Sequence, residues 1–162
     1  MSELWHFSED PSLGRFVPRD GKVWAIDEPN SWLYWFPRDC PRACFWAVEA
    51  TTNDDVERWL DGDRGRRVAV VETGWLERVR AVKLYAYRMP REPFHIVEDD
   101  RFYIASTPVR AIERIELGDL LGRHADAGNE LRIAPALYPL WDKVIESTLD
   151  FSGIRLRNAV QP

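Results

Sequence analysis

The fold reading turns on one stretch: Arg67-Val68-Ala69-Val70-Val71-Glu72, then Gly74 to Arg78, then Val82 to Met89. Four consecutive apolar residues between charges make a buried strand. Gly74 to Arg78 holds a turn of helix carrying Trp75. The third segment alternates, Val82, Leu84 and Ala86 against Lys83, Tyr85 and Tyr87, as a half-buried strand does. Short strands set off by single turns of helix, without regular β-α-β alternation, predict an α+β domain of mixed and antiparallel sheets.

The same grammar extends toward the N-terminus. Leu4 to Phe7 is a first strand, and Ser8-Glu9-Asp10-Pro11-Ser12 has the start signal of a short helical turn. Phe16 to Gly21 is loop, and Val23 to Ile26 is a second strand ended by Asp27-Glu28-Pro29. A short helix runs from Asn30 or Ser31 through Phe36, where Pro37 stops it. Cys44 to Val48 is a strand buried on both faces. Thr52-Asn53-Asp54-Asp55 starts a helix that Asp61-Gly62 closes.

Toward the C-terminus, Phe94 to Val97 and Phe102 to Ala105 are strands on either side of an acidic turn, Glu98-Asp99-Asp100. Val109 to Leu117 reads as one strand with a bulge. Gly118-Asp119 starts a helix through Ala127, Leu131 to Ile133 is a brief strand, and Leu137 to Phe151 has helical periodicity. The expectation is seven or eight strands with three or four helices in a single domain, 1–162. Residues 4–117 form the α+β body, 118–151 a C-terminal helical part and 152–162 a tail.

Composition narrows the function classes. The 162 residues carry a net charge of −5 with no long basic run, which disfavours general nucleic-acid binding through phosphate neutralisation. No basic segment followed by an apolar stretch opens the chain, and no apolar run approaches the roughly 18 residues of a membrane span. A cytoplasmic protein with no membrane partner is the expectation. Cys40 and Cys44, separated by three residues, and the scattered His6, His95 and His124 do not make a zinc site, so no metal is expected. Isolated glycines exclude a dinucleotide fingerprint and a P-loop. There is no Gly-x-Ser-x-Gly elbow and no His-Glu-x-x-His helix.

What stands out is arginine and tryptophan. Of 22 basic residues only Lys22, Lys83 and Lys143 are lysine, and seven of the 8 Trp fall in the first 75 residues. Arginine forks pair bidentately with phosphate and carboxylate and stack on aromatic faces. His6 points away from Trp5 and Phe7 and has two readings: a ligand-contacting imidazole, or a core histidine satisfied by backbone. Arg38 and Arg42 sit in a loop stiffened by Pro37 and Pro41. They either clamp a phosphorylated ligand or pair with Asp39 or Glu28. Trp24, Trp32, Tyr34 and Trp35 either line an aromatic wall or fill the core. The Leu137–Phe151 helix offers a homodimer surface.

Leu4-Trp5-His6-Phe7-Ser8 resembles the first-strand histidine motif of ADP-ribosyltransferase-like folds. Val23-Trp24-Ala25-Ile26-Asp27 with Tyr34 resembles the second strand and helix of that superfamily, and Phe102 to Val109 its late strand. The resemblance implies an ADP-ribosyltransferase-like fold and NAD as cofactor, with ADP-ribosyl or RNA 2′-phosphotransferase-type chemistry; the alternative is a non-catalytic binding module. It places His6, Tyr34 and Thr107 in catalytic positions, with Asp99 or Asp100 as alternatives to Thr107, and Ser8, Trp24, Arg38 and Arg42 around the ligand. The whole chain also resembles a small bacterial family that opens on His-Phe-Ser-Glu-Asp-Pro-Ser (residues 6–12 here) and carries Phe-Pro-Arg-Asp-Cys-Pro-Arg (residues 36–42).

Overall fold

The computed structural model describes residues 1–97 and 101–162. The expected turn at Glu98, Asp99 and Asp100 lies outside the described residues, as do Asp99 and Asp100 as catalytic alternatives. In order, the elements are β1 (Leu4–Ser8), β2 (Arg15–Phe16), β3 (Val23–Asp27), a 3-10 helix (Glu28–Tyr34), β4 (Arg42–Trp46), α1 (Asn53–Leu60), β5 (Arg67–Glu72), a 3-10 turn (Thr73–Trp75) and α2 (Leu76–Ala81). Then come β6 (Tyr85–Met89), β7 (His95–Ile96), β8 (Phe102–Ala105), β9 (Val109–Arg110), β10 (Glu113–Glu116), α3 (Leu120–Asp126), β11 (Asn129–Ala134), α4 (Tyr138–Val144), β12 (Asp150–Ile154) and a last 3-10 turn (Leu156–Asn158). The class is α+β, and the chain forms two compact units: Met1–Arg38 with Val82–Gly118, and Asp39–Ala81 with Asp119–Pro162.

The first unit is a six-stranded sheet in the order β10-β6-β1-β3-β8-β7, antiparallel throughout, with a small β2-β9 ribbon. Period-two alternation sorts its side chains. Leu4, Val23, Ala25, Tyr85, Tyr87, Met89, Tyr103 and Ala105 share one face, where Phe16 and Val109 of the ribbon complete the core. Asp27 caps the 3-10 helix, its Oδ1 accepting from the Asn30 N–H at 3.2 Å.

The second unit is a mixed sheet, β11-β5-β4-β12, in which only β11 and β5 are parallel. The run at Val68–Val71 is buried, as its pattern requires. Thr52 Oγ1 accepts from the Asp55 N–H, and Asp61 at φ 51 with Gly62 at φ 80 turns the chain out of α1. The buried Glu72 carboxylate accepts the N–H groups of Leu137 and Val160, both at 3.0 Å, and so holds the last residues onto the unit.

Four elements differ from expectation, each for a local reason. Ser8–Ser12 is not helical, because Asp10 Oδ1 captures the Ser12 N–H and hydroxyl at 2.8 and 2.6 Å. Tyr85 and Tyr87 face the core rather than solvent; the Tyr87 hydroxyl finds the Asp10 carbonyl at the rim, so its ring can be buried. Val109–Leu117 is two strands with different partners, β9 on β2 and β10 on β6. The helix expected over Leu137–Phe151 ends at Val144, where the Ser147 hydroxyl bonds the Val144 carbonyl and Thr148 bonds Asp55. Residues 150–154 are then β12 rather than helix and tail. Leu137, Val144 and Leu149, the apolar stripe read as a dimer surface, lie in the second unit's core.

Candidate functional site

The first unit's sheet forks. Strands β1 and β3 pair at Leu4↔Asp27 and Trp5↔Ile26, and there the ladder stops, while β1 continues on β6 and β3 on β8. His6 is the first residue beyond the last pair. Its Nδ1 lies 2.8 Å from the Trp24 carbonyl oxygen, a group freed from the β1 ladder by the fork. A carbonyl only accepts, so Nδ1 carries the proton, and in the neutral ring Nε2 keeps its lone pair. Among the described residues no group bonds Nε2.

The ring's surroundings disfavour its protonation. Burial lowers its proton affinity most; the bond to Trp24 opposes that, and the charges of Arg38 and Arg19 push it down further. The ring is partly exposed and packs on Phe16 at a centroid distance of 4.7 Å. Both arginines are exposed, and neither guanidinium has an ion-pair partner among the described residues. Glu9 positions Arg38 by its backbone, Oε2 accepting the Arg38 N–H at 3.1 Å. Ser8, two residues along β1 on the same face as His6, accepts the Asp10 N–H at 3.1 Å. The loop after β1 is pinned further by Tyr87, whose hydroxyl accepts from the Leu13 N–H at 3.2 Å and donates to Asp10.

The aromatic residues form a separate group. Trp24 and Phe102 lie on the sheet face opposite His6, edge to face at 6.3 Å, and Tyr34 meets Phe102 edge to face at 6.1 Å. Trp24 is 46% exposed, with Lys22 Nζ 5.5 Å from its ring centre. Trp32 is buried.

His6, Ser8 and Arg38 are thus brought to the fork, and Trp24 and Tyr34 to the other face. Thr107 is exposed in the turn after β8. Arg42 belongs to the second unit, 1% exposed, where its Nη1 donates to the Cys40 carbonyl at 2.9 Å. Arg42 follows the buried Pro41 and opens β4, whereas Arg38 and Asp39 are exposed.

Arg19, Glu9, Phe16 and Phe102 complete these groups. Sequence gives Glu9 and Arg19 only as neighbours of the candidates. Phe102 enters the sequence reading only as the start of a strand and of the late-strand resemblance, with no role of its own.

The pattern of a family of unknown function, DUF6886, matches residues 5–159. The chain belongs to that family. The match spans both units, so the His6 fork and the buried Arg42 turn fall inside it. No curated protein and no solved structure matches the chain. Among the described residues no helix is long and apolar enough to cross a membrane, and no group of His, Cys, Asp and Glu is arranged to hold a metal ion.

Proposed function

We propose that the fork between β1 and β3 binds a nucleotide of the NAD type. One observation carries this reading: an imidazole with its Nδ1 proton committed to the Trp24 carbonyl presents an open Nε2 acceptor, near two arginines without acidic partners among the described residues. Nε2 suits a ribose hydroxyl, which donates, and Ser8 lies next along the same face. Arg38 and Arg19 suit the pyrophosphate, which accepts bidentately from guanidinium.

The chemistry such a site would serve is transfer from NAD. Breaking the bond between ribose and nicotinamide leaves an oxocarbenium-like centre that depends on positioning and electrostatics more than on covalent help. In this reading His6 and Ser8 hold the sugar and the arginines hold the phosphates. Tyr34 and Phe102 supply an aromatic stack for a ring that reaches their face. Binding without turnover is the second reading, favoured by the absence, among the described residues, of any carboxylate hydrogen-bonded to His6.

Thermal shift with NAD, ADP-ribose and inorganic phosphate tests the proposal. NAD and ADP-ribose should raise the melting temperature at sub-millimolar concentration; no shift at millimolar NAD overturns it. Nicotinamide release over hours then separates transferase from binding module.

A further inference from the structure

The β2-β9 ribbon places Arg15 directly opposite Arg110 and Phe16 directly opposite Val109. Phe16 and Val109 face the core, so both arginines project from the ribbon's other face, and both are exposed. Directly opposed residues of an antiparallel pair hold their Cβ atoms about 5 Å apart, and like charges there are destabilising. Neither guanidinium has a hydrogen-bond or ion-pair partner among the described residues. The contrast within the same unit is plain: Arg88 pairs with Glu3 and Glu113, Arg91 donates to the Ser2 carbonyl, and Arg114 donates to the Pro11 carbonyl. A chain of net charge −5 has carboxylates to spare, yet among the described residues none meets this pair.

We infer that Arg15 and Arg110 form an anion site for the phosphoryl groups of a small phosphorylated ligand, a diphosphate best of all. Two guanidinium groups borne on one face offer a pair of bidentate donors, which matches two adjacent phosphates better than one carboxylate. The ribbon is short but anchored: Phe16 and Val109 sit in the core, and the Ala111 N–H bonds the Gly14 carbonyl at 3.1 Å. The two arginines are therefore held directly opposite each other along the ribbon whether or not an anion is present. The site does not depend on the nucleotide reading of the fork, since neither Arg38 nor His6 takes part.

Pyrophosphate titration at constant ionic strength, followed by calorimetry and by melting temperature, tests the inference in the full-length protein. Wild type should bind pyrophosphate more tightly than inorganic phosphate. Arg110→Gln and Arg15→Gln should each weaken pyrophosphate at least tenfold, while raising the melting temperature of the ligand-free protein at low salt because the repulsion is removed. Arg80→Gln, at an exposed arginine that pairs with Glu77, should leave pyrophosphate affinity within twofold. The inference is overturned by wild type that does not bind pyrophosphate, by Arg15 and Arg110 variants that bind it like wild type, or by a loss confined to Arg38→Gln, which would assign the anion to the fork.

Discussion

His6 Nδ1 and the Trp24 carbonyl oxygen are 2.8 Å apart at the point where β1 and β3 separate. The contact joins fold and site. A strand that leaves its neighbour exposes a main-chain acceptor, and the imidazole that fills that gap is fixed in one tautomer with its other nitrogen open. His6→Asn tests this, because the Asn amide can donate to the same carbonyl but offers nothing at the Nε2 position. His6→Asn should unfold within about 0.5 kcal/mol of wild type, whereas His6→Ala, which leaves the carbonyl without its donor, should lose about 1 kcal/mol in urea titration.

The same ring predicts a pH dependence. Its proton affinity is below the usual histidine value in the folded state, so the unfolded chain binds the proton more readily. Stability is fully present above the unfolded value of about 6.5 and is lost as pH falls through the lower folded value. Urea midpoints from pH 8 to pH 5 should decline more steeply in wild type than in His6→Asn; parallel curves would contradict the account.

Arg42 is placed by its sequence context beside Arg38, but the structure buries it at the start of β4, within the second unit's sheet, with the Cys40 carbonyl as acceptor. Arg42→Ala should therefore destabilise by on the order of 2 kcal/mol, from the orphaned carbonyl and lost packing. NAD affinity, measured where the variant is folded, should stay unchanged. A selective loss of ligand binding at wild-type stability would return Arg42 to the site.

Cys40 and Cys44 are both fully buried, and burial pushes each thiol up to about 12. Thiolate is the reactive form, so neither should react with iodoacetamide at pH 8 until the protein is unfolded, when both should react together.

Gly153 of β12 lies against the Trp141 ring and the Leu156 methyl, where an added Cβ would stand 2.7 Å from each. Gly153→Ala should cost about 1–3 kcal/mol through overpacking, read as a lower melting temperature. Trp141→Leu in the same chain should recover part of the loss.

The fold was legible where one residue type settles the local physics. The apolar run at Val68–Val71, the Thr52 cap with its Asp61-Gly62 stop, and Asp27-Glu28-Pro29 ending β3 all carry their reasons in the sequence. It was opaque where a distant partner decides. Tyr87 is buried because Asp10, far away in the chain, takes its hydroxyl, and the helix after Leu137 stops where Thr148 meets Asp55. The candidate residues show the same division. His6 and Arg38 are singled out by local features, a strand histidine and a proline-stiffened loop, but the Trp24 carbonyl and the Glu9 carboxylate place them. The opposition of Arg15 and Arg110 exists only through pairing of segments nearly a hundred residues apart, a register that no pattern in either segment announces.

The most direct measurement is calorimetric titration of NAD into wild type and His6→Asn, under conditions where both are folded. Wild type should give a saturable 1:1 isotherm, and His6→Asn should lose at least tenfold in affinity, matched by Arg38→Gln. No heat of binding at millimolar NAD, or equal affinity in wild type and His6→Asn, would contradict it.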